Sequence, residues 1–505
     1  MVKQVFKLHS SDNVFVALAN LPLGTELEVD GVILTENVQR GHKIAAEDIA
    51  EGMPVIRYGH IIGQATMAIA AGDHVHGHNL GMGEHHQDSI QESYNTALPI
   101  LDHERTFMGY LRRNGQVGTR NYIGILTSVN CAGSVANFIA EAAEKSGLLD
   151  AFPNVDGIVP IVHSSGCGMA GDGDGYETLK RTLIGYSKNP NFGAILLVGL
   201  GCEVLQVSTL AEGFSQTIDN PHRYMTIQGE GGTRKTVDRG LEELRIIAEI
   251  ANRSERSPAP LSALTVGMQC GGSDGYSGIT ANPALGAASD LLVRHGGTTI
   301  LSETSEIYGA EHLLTRRAVN PSVAEKLLAR VRWWEDYCSH HGGEMNNNPS
   351  PGNKAGGLTT ILEKSLGAVA KSGTAPLTEV YGFAEQIDKK GFVFMDSPGY
   401  DPCSVTGQVA SGANLIVFTT GRGSVSGFKP SPCIKLATNS EMYRRMSSDM
   451  DLNCGDIVSE GVSIEAKGEE IFELIIRIAS GEMSKSEAQG FGGVEFVPWQ
   501  IGAVM

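Results

Sequence analysis

Ala194-Ile195-Leu196-Leu197-Val198 is an unbroken apolar run that stops at Gly199-Leu200-Gly201-Cys202-Glu203. A short strand without polar alternation is covered on both faces, and such strands build parallel sheets flanked by helices. Outward from this stretch the form recurs. Ile123-Gly124-Ile125-Leu126-Thr127 leads to Cys131 and an amphipathic stretch near Ser134 to Lys145. Gly157-Ile158-Val159-Pro160-Ile161-Val162 leads to His163 and Cys167. Leu264-Thr265-Val266-Gly267-Met268 leads to Cys270, with a helix near Asn282 to His295. Thr298-Thr299-Ile300-Leu301 leads to Glu303. Short apolar strands alternating with helices predict an α/β region with largely parallel sheets.

The first 80 residues differ. Val14-Phe15-Val16-Ala17-Leu18, Glu26-Leu27-Glu28-Val29 before Asp30-Gly31, and Val55-Ile56-Arg57-Tyr58 read as short strands, so a small β-rich domain is expected over 1–80. A polar linker over 81–105 follows. A first α/β domain over 106–254 and a C-terminal α/β catalytic domain over 255–505 meet where Ser, Arg and Pro cluster, near Ser254 to Ala263. A chain of 505 residues suggests about three domains. Asn130-Cys131-Ala132-Gly133-Ser134 and Gln269-Cys270-Gly271-Gly272-Ser273 share one form, too short to establish a duplication. The run from Gly342 to Lys354 is so rich in turn formers that a long loop is expected.

The formal charge of -18, without a basic stripe, excludes general nucleic-acid binding. It also gives an anionic substrate no long-range attraction, so local cations or a metal must hold one. The start lacks the apolar core of a secretory leader, and the longest apolar runs are too short to span a bilayer. A cytoplasmic protein without membrane partners is expected. Eight cysteines in such a chain are not a disulfide framework.

Cys131, Cys167, Cys202 and Cys270 each follow a strand in a Gly-rich turn. Ligands bind beyond the carboxyl ends of strands in open α/β sheets, so these thiols would share a crevice if their strands share one sheet or two facing ones. A single such Cys is ordinarily a small buried hydrophobe. Four at equivalent places, with His163, Glu203, Ser273 and Asp274 beside them, suit Fe(II) or another first-row metal. Cys338, Cys403, Cys433 and Cys454 show no such placement and are expected to be structural or on the surface. On a strand, His74, His76 and His78 would line one face, and His76 and His78 are further candidate metal ligands. The competing reading is a solvated His-rich loop. Arg40-Gly41-His42-Lys43 adds a flexible turn with a base and a cation.

The chain resembles the altronate and galactarate dehydratases. The matching segments are Arg40-Gly41-His42-Lys43, His74 to Asn79, Gly199 to Glu203, Cys270 to Asp274 through Gly278 to Pro283, Asn348 to Lys354, and Thr419 to Gly423. The resemblance implies a small SAF (β-clip) domain ahead of a two-part α/β catalytic region. It implies a hydro-lyase that converts a hexonate or hexarate to a 2-keto-3-deoxy acid, with Fe(2+), or alternatively Mn(2+), as metal. The run His74 to Asn79 and Ile307-Tyr308-Gly309-Ala310-Glu311 lean to the altronate side. The expected reaction is then D-altronate to 2-keto-3-deoxy-D-gluconate in hexuronate catabolism, with galactarate as the alternative substrate.

Such a dehydration removes a poorly acidic C2 proton and the C3 hydroxyl, so a metal on the carboxylate, a base and an acid are required. His42 or His163 would serve as base or acid, with Lys43 as electrostatic partner. Lys354 and Arg422 would neutralise the substrate carboxylate, and Asn282, Ser350 and Asn353 would bind its hydroxyls. An iron–sulfur cluster on three or more thiolates ranks below a simple metal site. From other classes, a thiol-based redox protein and a non-catalytic sugar-acid-binding protein remain as alternatives. The expected partner is a small sugar acid, and the sequence leaves homo-oligomerisation open.

Overall fold

The computed structural model describes residues 4–29, 31–83, 98–101, 104–217 and 221–502. Most of the expected linker over 81–105 lies outside them. Two small antiparallel sheets form the N-terminal module. Strands Val5–Phe6, Val14–Ala17, Lys43–Ala45 and His74–Val75 make one; Pro54–Arg57, His60–Ala65 and Leu80–Gly81 make the other. This is the SAF-like domain. The strand expected at Glu26 to Val29 is instead a tight turn with one bridge, Glu26 to Ile33, closed by the Leu27 N–H on the Val32 carbonyl.

The middle of the chain carries a four-stranded parallel sheet in the order Gly157–Ile161, Tyr122–Thr127, Phe192–Gly199, His222–Thr226. The C-terminal part carries seven parallel strands, in the order Leu377–Tyr381, Gly391–Met395, Thr298–Ser302, Thr265–Cys270, Leu415–Thr420, Cys433–Ala437, Leu452–Asn453. All eight residues of Phe192–Gly199 and all six of Leu415–Thr420 are buried, which is why neither reads as alternating. Strand Arg256–Pro260 pairs antiparallel with Thr106–Leu111, so chain on both sides of the expected 254/255 boundary joins one small sheet.

One apolar core runs between the two parallel sheets. It joins Leu126, Ile195 and Leu197 of the smaller sheet to Val393, Ile416 and Phe418 of the larger. Helices Gly173–Lys188 and Asp401–Ala410 pack together within it. On the far face of the large sheet, Ala281–Arg294 packs on Ile464–Ala479.

In both parallel sheets the strand order reverses beside the first strand. In the large sheet this happens between Thr265–Cys270 and Leu415–Thr420; in the small one, between Tyr122–Thr127 and Phe192–Gly199. The loops leaving such a point diverge and open a crevice at the carboxyl edge, where ligands bind in α/β sheets. The expectation of one crevice for four thiols is corrected here. Cys131, Cys167 and Cys202 leave the small sheet and are exposed, whereas Cys270 ends a strand of the large sheet and is buried.

Candidate active site at the switch point of the large sheet

Cys270 closes its strand, and Glu303 and Glu306 follow the next strand, Thr298–Ser302. The Cys270 thiol and one carboxylate oxygen of each glutamate lie within 4.8 Å of one another, the only such triplet of metal-ligating groups among the described residues. Glu303 holds φ at 72°, a conformation that costs a non-glycine residue roughly 1–3 kcal/mol and that concentrates at functional sites. Two buried ammoniums enter from the segment after Thr360. Lys371 Nζ is 2.8 Å from Cys270 Sγ, and Lys364 Nζ is 2.6 Å from Glu306 Oε1 and 2.9 Å from Asn348 Oδ1. Asp401 completes the group: a Cβ on Gly271 would lie 2.4 Å from its Oδ2. Burial, then the charge of Glu306, raises the pKa of both Glu303 and Asp401, and burial raises that of Cys270.

The donor set fits a divalent cation. Four groups that are anionic when ionised (Cys270, Glu303, Glu306, Asp401) face two ammoniums (Lys364, Lys371). The two charges left over match one M²⁺, and thiolate with carboxylate suits a first-row metal. This cluster can hold the metal that the sequence placed on a wider set.

The loop Cys270–Asp274 leads from the cluster to a polar cleft of about 180 Å³ between the SAF-like domain and the large sheet. Asn20, Gln39 and Arg40 line one wall; Asp274, Tyr276, Arg422, Asn439, Glu441 and Arg445 line the other. Four residues span at most about 14 Å, so cluster and cleft are close. Arg40 pairs with Glu441 at 2.9 Å and lies over the Tyr276 ring. The buried Asp274 carboxylate accepts from Thr438, Ser277 and Asn439 and fixes the far wall.

The docking of the SAF-like domain explains several glycines and charges. A Cβ on Gly275 would lie 2.0 Å from the Gly41 carbonyl oxygen, so the two backbones touch. Lys43 does not face a substrate. It is wholly buried against Glu363 (2.9 and 3.0 Å), which also pairs with Arg57. Those two cations hold the Glu363 carboxylate down at about 2, against the burial that would raise it.

Four imidazoles gather at the same interface. His42 Nδ1 is 2.9 Å from His74 Nε2; His76 stacks on His42, with centroids 5.2 Å apart; His78 lies 5.6 Å from His74. The strand ends at Val75, but Asn79 bonds the His74 carbonyl and the His76 N–H and holds the turn in place. His42 Nε2 faces the Ala355 carbonyl at 3.3 Å, and Ala355 lines the cleft. Burial lowers the pKa of His42 to about 4 and that of His74 to about 3, so both are neutral at pH 7. His76 and His78, expected as metal ligands, have no third donor converging on them among the described residues.

The remaining expected site residues divide. Arg422 lines the cleft. Lys354 is exposed, and its carbonyl accepts from His76. Asn282 is spent inside the protein, donating to the Gly367 carbonyl and accepting from Thr419. Ser350 and Asn353 cap each other in a capping box that turns Pro351–Ala355 into a short helix within the expected loop. His163 lies on the small sheet with both nitrogens engaged: it bonds the Thr127 carbonyl (3.0 Å) and accepts from the Ser165 N–H (3.2 Å). Asn282, Ser350, Asn353 and His163 thus meet partners within the protein, and none of the four lines the cleft.

His163 carries a stability prediction. Burial lowers its pKa to about 4, below the unfolded value near 6.5. Its contribution is therefore complete above about pH 6.5 and lost as pH falls through about 4, with a full size of about 3 kcal/mol. His163→Gln is expected to flatten the fall in urea midpoint across that window; an unchanged slope would refute it.

Sequence reasoning missed Glu306, Lys364, Lys371 and Asp401, and marked Glu303 only as the end of a strand. Lys364 and Lys371 were findable: they stand seven apart, the spacing of one helical face, in the mostly apolar stretch from Ile361 to Ser372.

Fold and site define an α/β enzyme with a β-clip domain docked over the carboxyl edge of its large sheet. The family description "Altronate/galactarate dehydratase SAF domain" matches residues 3–83; "D-galactarate dehydratase/Altronate hydrolase, second domain" matches 109–252; "D-galactarate/Altronate dehydratase, C-terminal" matches 261–504. The chain belongs to the altronate/galactarate dehydratase family, and is a hydro-lyase of the sugar-acid dehydratase class. Altronate dehydratase of Bacillus subtilis (strain 168) is 35% identical over 496 residues, 97% of this chain and 98% of its own. Altronate dehydratase of Escherichia coli (strain K12) is 37% identical, covering 97% of each chain. Galactarate dehydratase (L-threo-forming) of the same strain is 39% identical over 94% of this chain and 92% of its own. No described helix is long and apolar enough to cross a membrane.

Proposed function

We propose that the protein dehydrates D-altronate to 2-keto-3-deoxy-D-gluconate, with Fe(2+) or Mn(2+) held by Cys270, Glu303 and Glu306. The observation that carries this is the loop Cys270–Asp274, which joins the buried donors to a cleft of net charge +1. Three guanidiniums (Arg40, Arg422, Arg445) face two carboxylates (Asp274, Glu441), a balance that suits one substrate carboxylate rather than the two of a hexarate. A bound divalent ion supplies Lewis-acid stabilisation of enolate-like charge, worth several kcal/mol. Arg422 takes the carboxylate in a planar fork. His42, kept neutral by burial, is the acid–base candidate: its Nε2 must leave the Ala355 carbonyl to meet substrate, while His74 holds Nδ1.

The test is turnover of D-altronate and galactarate by chelated and iron-replenished protein, scored as 2-keto-3-deoxy acids. Chelation is expected to abolish turnover and iron to restore it, with D-altronate the faster substrate. Faster galactarate would overturn the substrate; undiminished turnover after chelation would overturn the metal, and its loss on alkylation would favour thiol chemistry. Arg422→Ala is expected to raise the KM for D-altronate by roughly 10- to 100-fold, the size of a lost charge-assisted hydrogen bond of about 1.5–3 kcal/mol. An unchanged KM would remove Arg422 from the carboxylate site.

A further inference from the structure

We infer that Cys131, Cys167 and Cys202 hold an iron–sulfur cluster at the switch point of the small sheet, separate from the Cys270 group. The three leave neighbouring parallel strands, Cys131 from the central one. Adjacent strands run about 5 Å apart, so the turns begin within about 10 Å of one another.

Backbone bonds next to each thiol lock the turns together. The Asn130 N–H donates to the Ser165 carbonyl at 2.9 Å. The Val204 and Leu205 N–H groups both donate to the Gly166 carbonyl, at 3.1 and 3.2 Å. The buried Glu203 carboxylate accepts from Ser128 Oγ and the Gly201 N–H, both at 2.6 Å. Gly166 is wedged between the other turns: its φ is 96°, and a Cβ there would lie 2.2 Å from the Ser128 carbonyl oxygen. Thus the residue before Cys167 and the residues beside Cys131 and Cys202 are fixed against one another.

The thiols themselves are presented outward. Ala132, Gly166 and Glu203, each adjacent to one of them, are buried, while Cys131, Cys167 and Cys202 are exposed. Cysteine is among the most buried residue types, and Cys270, Cys403, Cys433 and Cys454 follow that rule. Three exposed thiols on one rigid carboxyl edge depart from it together. Gln228 Nε2 donates to Cys202 Sγ at 3.3 Å, the type of hydrogen bond that tunes cluster sulfur ligands.

The spacing selects the kind of metal. Among the described residues, only the Cys270 group brings three donors within 4.8 Å, so these thiols stand wider than one zinc at about 2.3 Å per ligand requires. A polynuclear cluster spreads its thiolates over several irons. A fourth iron would lack a protein thiolate and face outward, beside a cavity of about 300 Å³ that Cys167 lines with Trp499 and Gln500.

The experiment is anaerobic reconstitution of the full chain with ferrous and ferric iron plus sulfide, reading visible absorption, iron and acid-labile sulfide. Wild type is expected to bind labile sulfide, with iron exceeding it by about one per chain because the Cys270 group takes iron alone. Cys131→Ser, Cys167→Ser and Cys202→Ser are each expected to lose the sulfide, while Cys338→Ser keeps it. Iron at Cys270, Glu303 and Glu306 comes without sulfide, so the two sites are read apart. As a check that needs no variant, reconstituted wild type should protect these three cysteines from iodoacetamide, mapped by peptide mass spectrometry. Absence of labile sulfide in wild type, its retention in the variants, or a disulfide among the three would overturn the inference.

Discussion

Glu306→Gln is expected to lower kcat on a sugar-acid substrate by roughly 10²- to 10⁴-fold, with loss of bound divalent metal. Glu306 sits at the centre of the buried group: it accepts from Lys364 and Asn348 and stands 3.8 Å from Cys270 Sγ. Glutamine keeps the shape but removes one anionic donor and leaves Lys364 without its partner. A Lewis acid is worth several kcal/mol, and each 1.4 kcal/mol is about tenfold in rate, which sets the range. Glu306→Asp keeps the charge on a shorter arm and should fall between. Metal analysis beside kcat is the measurement. A Glu306→Gln enzyme that keeps both its metal and its rate would remove this cluster from the chemistry.

What the sequence showed follows from what it encodes locally. An apolar run ending in Gly and Cys declares a buried parallel strand, so the sheets and the placement of Cys131, Cys167, Cys202 and Cys270 at strand ends were legible. Which strands share a sheet depends on pairings as distant as Val266 with Leu415, and there the expectation of a single thiol crevice failed. Polar residues in turns posed the opposite problem. Ser350, Asn353 and Asn282 look free as letters, but each is consumed by backbone or side-chain partners once the loop folds. Lys43 appeared as part of a reactive turn because its partner, Glu363, is 320 positions away. Arg40 and Arg422 come to one cleft only because the SAF-like domain docks on the large sheet.

That docking carries the second large effect. Glu363→Gln is expected to destabilise the protein by about 3–5 kcal/mol, the usual cost of leaving a buried charge uncompensated. Here two cations, Lys43 and Arg57, would be stranded in a fully buried site, since both reach Glu363 from the SAF-like domain. Thr359 also donates to the lost carboxylate through its N–H and hydroxyl. Urea unfolding should show the loss as an early transition, because the triad ties one module to another. Replacing all three by apolar residues, as in Lys43→Met with Arg57→Met and Glu363→Met, should recover much of the stability, since buried ion groups are often no better than packed hydrocarbon. The same change should reach the chemistry. Glu363 and Lys364 are neighbours on helix Ile361–Val369, one holding the SAF-like domain and the other reaching Glu306. Glu363→Gln should therefore lower activity along with stability, and the apolar triple variant should separate the two effects. A Glu363→Gln protein that unfolds at the wild-type urea concentration would show that the ion triad does not hold the two modules together.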